Sequence, residues 1–297
     1  MRRLYLTLLL ALVMTMTATA QQRDFSTVEV KATKVAGSVY MITGAGGNIG
    51  VSAGEDGLVV IDDQYAPLAP KIEAALKTIV DKPVRFILNT HFHGDHTGGN
   101  EYFGKSAPIV AHENVRKRLV TGRTGANPTP PAPAGALPVL TFNDSVTIHL
   151  NGEDVKAVHM PHGHTDGDSV IWFTKSNVVH MGDDFFNGTF PFVDTDSGGS
   201  VKGLIANLEK VLSTVPDDAK IIPGHGPLSD KAGLRKFVDV LKATQGVVAK
   251  GIAAGKTAEQ LKSEKALAEW DSWGQGFIKT DTWIDTLYAE ARRMEKK

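Results

Sequence analysis

Short apolar runs separated by glycines and other turn residues fill the first third of the chain. Ser38-Val-Tyr-Met-Ile42, Asn48-Ile-Gly-Val51 and Gly57-Leu-Val-Val-Ile61 read as strands, and the Gly44-Ala-Gly-Gly47 and Gly54-Glu-Asp-Gly57 spacings predict hairpins between them. The preceding stretch, Gln21 to Thr33, is polar and reads as a loosely held arm. From Pro67 to Asp81 the period changes: Leu68, Ile72, Ala75, Leu76, Ile79 and Val80 fall at helical spacing, followed by Pro83. Val84-Arg-Phe-Ile-Leu88 is a buried strand ending at Asn89-Thr90, Ala107 to Ala111 another, and Glu113 to Val120 a helix with its basic residues outward. Residues 122–138, rich in Gly, Pro and Ala, carry no period. They are expected to form an ordered irregular loop, either a pocket wall or a plain surface excursion.

A second strand series follows: Val139–Phe142, Val146–Leu150, Val155–His159, Val170–Phe173 and Val178–Met181, with turns at Asp144-Ser145 and Asn151-Gly152. Gly203 to Val215 is helical, Lys220–Ile222 a short strand and Ser229 to Lys242 helical again; the tail from Thr257 to Met294 reads as helix interrupted at Gly274-Gln-Gly276. Strands then helix, twice, with no sequence repeat, predict a layered α/β sandwich.

Composition adds little to the fold but bounds the function. With 42% hydrophobic and 22% charged residues among 297, the chain is ordinarily globular. Residues 1–20 stand apart: Arg2-Arg3, an apolar run from Leu4 to Met14, and Ala18-Thr-Ala20 before Gln21 have the form of a cleaved signal peptide, so a periplasmic or secreted protein is expected. The run is too short and wrongly flanked for a transmembrane helix. The mature chain keeps 30 basic against 33 acidic residues, a net charge of −3, and carries no long Lys/Arg cluster. A nucleic-acid partner is therefore not expected, nor stable membrane insertion after cleavage. There is no cysteine, so neither disulfides nor thiolate metal ligands are available.

The chemistry concentrates just after the Val84–Leu88 strand. His91-Phe-His93-Gly-Asp95-His96 packs three imidazoles and a carboxylate into six residues. In a core each would need a partner, and protonated histidines would repel one another. A metal ion removes the conflict, because neutral imidazole and carboxylate oxygen are its natural ligands. His91 and His93 project to one side of an extended chain, and Gly94 allows a bend that turns Asp95 and His96 toward a second position. Three later stretches place similar side chains after apolar strands, each flanked by glycine: Pro161-His-Gly-His164-Thr-Asp-Gly-Asp168, Met181-Gly-Asp183-Asp184 and Ile222-Pro-Gly-His225-Gly-Pro227.

In this order, the motifs resemble the metallo-β-lactamase superfamily over residues 35–245. The resemblance implies a four-layer αββα sandwich with a two-metal site on the edge between its halves. It implies His91, His93 and His164 as ligands of a first ion, Asp95, His96 and His225 of a second, and Asp183 as the bridge, with zinc the expected metal, two ions per chain. His162 rivals His164, but the Gly-His-Thr context matches the family at His164. Asp184 and Asp168 lie close enough to ligands to orient histidine rings, or are solvated turn residues. His112, His149, His159 and His180 are read as surface residues or as donors behind the ligands. The domains expected are a signal peptide over 1–20, a catalytic domain over 21–250, and a C-terminal helical extension over 251–297 packed on it.

Two divalent ions activating a shared water imply hydrolysis of an amide, ester or thioester of a small molecule, with Asp95 orienting the nucleophile. Family members that destroy β-lactams most commonly place a cysteine at the second ion, which this chain lacks; Asp183 resembles glyoxalase II, lactonases and tRNA-processing nucleases instead. Export suits an enzyme that intercepts antibiotics. A β-lactamase-like cyclic-amide hydrolase is thus the expectation, with a lactonase or glyoxalase II-like thioesterase beside it and an iron-dependent dioxygenase of the same fold as a further alternative. The aromatics of Phe185-Phe-Asn-Gly-Thr-Phe-Pro-Phe192 face either the pocket or the core.

Overall fold

The computed structural model describes residues 24–123 and 128–294, so the expected leader over 1–20 lies outside the described residues. Seven strands, β1 (Lys31–Ala36), β2 (Val39–Thr43), β3 (Ile49–Gly54), β4 (Gly57–Ile61), β5 (Val84–Leu88), β6 (Ile109–His112) and β7 (Leu140–Phe142), pair in sequence order. The first four are antiparallel; β4 to β7 run parallel. Six more, β8 (Ser145–Leu150), β9 (Glu153–His159), β10 (Ser169–Phe173), β11 (Val178–His180), β12 (Lys220–Ile222) and β13 (Ser229–Asp230), form a second sheet in the order 13-12-11-10-9-8, with only β11–β12 parallel.

Alternation along the strands builds the layers. In β4, Val59 and Ile61 point to the cluster between the sheets, where they meet Ile171, Phe173, Val178 and Ile222 of the second sheet. Leu58 and Val60 point the other way, onto helix α1 (Ala69–Ile79) through Ile72, Ala75 and Leu76. On the second sheet's outer face Val170, Val179 and Ile221 meet Leu204, Leu208, Phe237 and Leu241. After α1 the chain forms two single-turn helices, α2 (Gly94–Thr97) and α3 (Asn100–Phe103), and α4 (Glu113–Thr121); α3 puts Phe103 into the α1 layer and α4 packs on β6 and β7. The outer layer is α5 (Val201–Thr214), α6 (Lys231–Ala253), α7 (Ala258–Ser263) and α8 (Thr280–Met294). The molecule is an αββα sandwich.

Three departures from the sequence reading have local causes. The arm before β2 is not loose from residue 24 onward: Val28, Val30 and Ala32 alternate into the α1 layer, and Lys71 Nζ donates to the carbonyls of Phe25, Ser26 and Val28 at 3.1, 2.7 and 2.8 Å. Helix α5 starts two residues early because Glu290 of α8 accepts from the Val201 and Lys202 amides, supplying the partners a helix N-terminus lacks. Helix α6 continues well past Lys242, with Gly251 giving room for Leu261 of α7.

Parallel pairing puts the C-terminal ends of β4 and β5 on one edge, and β9, β11 and β12 end on the facing edge of the other sheet. The stretches carrying metal-type side chains all leave from these ends. No helix among the described residues is long and apolar enough to cross a membrane.

Candidate metal centre

Beyond β5 the chain turns through Asn89-Thr90 into His91 and His93, and α2 begins at Gly94. The bend does what the spacing predicts: His91 and His93 join one group, while Asp95 and His96 on α2 swing to a second. The first group is His91, His93, His164 and Asp183; the second is Asp95, His96 and His225. His91 Nε2 and His164 Nε2 lie 3.1 and 2.8 Å from His93 Nδ1. In the second group His225 Nε2 is 3.4 Å from both His96 Nε2 and Asp95 Oδ2. All seven expected ligands are thus brought together.

Asp183 divides its carboxylate between the groups. Oδ2 lies 3.8 Å from His91 Nε2 and 3.5 Å from His164 Nε2, whereas Oδ1 lies 3.0 Å from His96 Nε2 and 3.3 Å from His225 Nε2. The backbone permits this approach through glycine. Gly182 has φ of 51° and packs on Thr90, and a Cβ on Gly47 of the β2–β3 loop would run into the His96 ring.

Four of the five imidazoles are aimed by a bond on the ring's other nitrogen. His93 Nε2 meets Asp194 Oδ2 at 2.9 Å, His96 Nδ1 meets Asp62 Oδ2 at 2.7 Å, His164 Nδ1 meets the Phe192 carbonyl at 2.7 Å, and His91 Nδ1 lies 3.0 Å from the Thr90 hydroxyl. Such partners fix ring orientation and raise ligand basicity. Asp62 also accepts from the Thr90 amide and hydroxyl, both at 2.7 Å, and these bonds hold it at a φ of 63°. Arg123, from the 122–138 loop, contacts Asp194 at 3.2 Å, so that loop reaches the site's wall.

Asp184 and Asp168 do not take the ring-orienting role. Asp184 accepts from the His164 amide at 3.2 Å and Asp168 from the Thr165 amide at 2.7 Å and the Thr165 hydroxyl. Their carboxylates hold the backbone of the loop that carries His164, and both are buried rather than solvated. His162 is exposed, and its Nδ1 faces the Gly198 carbonyl at 3.1 Å, outside both groups. His149 pairs with Asp154 on the surface, His180 Nε2 meets the Asn48 carbonyl at 2.9 Å, and His112 stacks on His159 with centroids 3.7 Å apart. The aromatics after Asp183 divide. Phe185, Phe186 and Phe190 are buried in the core, Phe186 at its edge stacking on His225 at 5.0 Å, whereas Phe192 is only partly buried and lies 5.9 and 5.7 Å from the His93 and His164 rings.

The electrostatics prepare part of this donor set for a cation, while the carboxylates around His96 and His225 override burial and raise those two rings. Burial alone would raise Asp183, but His225, His96, His91 and His164 outweigh it and hold its carboxyl well below the usual range. Burial pushes His91 well below its ordinary value and His164 down to about 4. An ionised carboxylate and neutral imidazoles are the forms that bind metal. At His225 burial also acts downward, yet Asp183 and Asp95 override it and raise the ring to about 9, so a proton there competes with an ion. The donor set fits a metal on a further ground: Asp183 Oδ1 is buried and accepts no hydrogen bond, despite lying 3.0 Å from His96 Nε2.

Asp62, Asp194, Thr90 and the Phe192 carbonyl escape a reading of sequence alone. Asp62-Asp63 looks like a strand end and Asp194 like a loop acid. Their neighbours lie 34 and 101 residues away along the chain, at His96 and His93.

Comparison with known proteins places this geometry in context. A family model described as the Metallo-beta-lactamase superfamily matches residues 36–225. Metallo-beta-lactamase type 2 of Bacteroides fragilis is 24% identical over 181 residues, covering 58% of this chain and 68% of that one. The hydroxyacylglutathione hydrolase of Nitrosococcus oceani is 30% identical over 151 residues, covering 50% of each, so the chain spans half the length of that relative. Among solved structures, the stereoselective inverting sec-alkylsulfatase of a Pseudomonas species superposes with a TM-score of 0.64 at 15% identity, covering 87% of this chain and 50% of that one.

Proposed function

From the premise that the chain belongs to the metallo-β-lactamase superfamily, and is a metallo-hydrolase with it, we propose that it is a dinuclear zinc enzyme cleaving the carbonyl bond of a small molecule. The observation that carries this reading is Asp183, whose two oxygens face separate ligand groups. His91, His93 and His164 would hold one ion, Asp95, His96 and His225 the other, and Asp183 both. Imidazole and carboxylate without thiolate suit zinc. Bound there, such ions lower the pKa of water toward neutrality and polarise a carbonyl oxygen.

The chain's own residues supply the rest. Asp95 is 23% exposed, on the open side of the site. Burial would raise it, but His96 and His225 keep it below the ordinary carboxylate value, so it stays ionised. Its Oδ2 faces His225, which leaves Oδ1 to accept a hydrogen bond from the attacking water and orient it. Asp194 and Asp62 hold the His93 and His96 rings in place throughout. Phe186 and Phe192 exclude water from one side.

For substrate, a strained cyclic amide is the lead reading, supported by the form of the leader over 1–20 and by the Bacteroides relative. A lactone or thioester is the second, supported by the Nitrosococcus relative. Full-length protein expressed with its leader is expected outside the cytoplasm, beginning near Gln21. Purified without chelators it should hold close to two zinc per chain; one tightly bound iron and no second metal would sink the dizinc reading. The zinc-replete protein is then offered a penicillin, a carbapenem, γ-lactones and an acyl thioester. Opening of a lactam supports the lead reading. Turnover confined to lactones or thioesters transfers the assignment to the second.

A further inference from the structure

Phe277 is 85% exposed, far more than any other large hydrophobic side chain among the described residues bar Val139. It is not on a loose segment. Trp273 before it and Ile278 after it are both buried in the outer core; the Trp273 carbonyl accepts from the Phe190 amide at 2.9 Å, and Gly276 packs against Thr189. The ring is therefore held out into water by a fixed backbone.

Its position continues a row of aromatics that starts at the metal ligands. Phe186, 7% exposed, stacks on His225 and lies 6.3 Å from the His164 ring. Phe192, half-buried, lies beside His164 and His93. Phe277 stands edge-on to Phe192 at 6.2 Å and 83°, a favourable arrangement for two rings. The row rises from both ligand groups to the surface with exposure increasing outward. The β2–β3 loop Gly44-Ala-Gly-Gly47, which packs on Asp95 and His96, carries a single methyl as its side-chain content and adds no such wall of its own.

We propose that Phe186, Phe192 and Phe277 form an apolar subsite that takes an aryl or alkyl substituent of the substrate next to the bond being cleaved, with Phe277 as its outer, specificity-determining residue. This rests on the dinuclear reading above, because the row is anchored on the ligands. The occupant is a small-molecule substituent rather than a second protein chain, since the row is anchored on the donor groups themselves, Phe186 on His225 and Phe192 beside His93 and His164. Phe277 touches no ligand and belongs to the chain beyond α7, so this element contributes selectivity while the sandwich contributes the chemistry.

Binding of thiols to the cobalt(II)-loaded full-length protein tests it without turnover, because a thiolate on cobalt gives a charge-transfer band. Ethanethiol and 2-phenylethanethiol coordinate through the same atom and differ in the apolar group. The parent should prefer the phenyl compound, Phe277→Ala should lose about fivefold of that preference with ethanethiol affinity unchanged, and Phe277→Tyr should retain it. Substituting so exposed a ring leaves the core intact, and circular dichroism verifies that. An unchanged preference in Phe277→Ala overturns the subsite while the band itself leaves the metal reading standing. If neither thiol gives a band, the metal reading has failed and the subsite falls with it. If Phe277→Ala instead splits a dimer on sedimentation and leaves the preference intact, the wall is a self-association surface and the proposal is wrong.

Discussion

Asp183 and Asp184 are adjacent, acidic and buried, and composition gives no means of choosing between them. Position does: Asp183 lies among four imidazoles, whereas Asp184 holds the His164 amide. Asp183→Asn is therefore expected to lose metal as well as rate, and Asp184→Asn to keep its metal with a loss of about 10–100-fold at most, as for groups that support ligands. Equal metal loss from both would show that Asp184 also ligates. Elemental analysis of the two variants decides. Asp62→Ala should weaken metal binding about 10–100-fold, since His96 loses the bond that aims it. The seven residues that the structure gathers were legible only as a set, because single glycine-flanked histidines say little and it is their order along the chain that resembles the metallo-β-lactamase superfamily. Asp62 and Asp194 were not, because a side chain that acts across strand pairing leaves no mark beside the residue it serves.

Among the elements, strands were read well wherever apolar residues ran unbroken, as in β4 and β10, and poorly where alternation was diluted by charge. The stretch leading into β1 is the example: Val28, Val30 and, inside β1, Ala32 carry the period, but Glu29 and Lys31 between them look like a solvated arm. Helix α8 docks through Trp283, which stacks on Phe190 at 5.4 Å and donates to Thr244 of α6 at 3.0 Å. Trp283→Ala should cost about 3–5 kcal/mol, read as a lower urea midpoint. At the junction of β6, α4 and β9, His112 and His159 stack. Burial holds His112 down to about 4, aided by His159, and burial lowers His159 too, against the opposing pull of Asp166 on both. As pH falls from 6.5 toward 4, the unfolded chain takes up protons that the folded pair refuses, so stability falls in that window. In chelated protein His112→Asn, which keeps an acceptor for the Asn114 amide, should reduce that acid-side loss by up to about 3 kcal/mol. An identical pH profile for parent and variant would remove the pair from the account.

At the scale of the molecule, ligand groups bind the two sheets to each other. His91, His93, Asp95 and His96 follow β5 of the first sheet; His164, Asp183 and His225 follow β9, β11 and β12 of the second. Chelation should lower the melting temperature by about 5–10 °C if zinc is present near 100 times its Kd, since that occupancy is worth about 2.7 kcal/mol. Both candidate donor groups draw from both sheets, so neither half alone completes either group. Metal loading is in this sense a conjunction: it requires that both halves have folded and met in register. A chain arrested with one sheet formed would hold only loose histidines, releasing any captured ion as fast as an unfolded peptide does. Zinc retention through a chelating column would then sort finished molecules from misassembled ones, without any assay of what the enzyme cleaves.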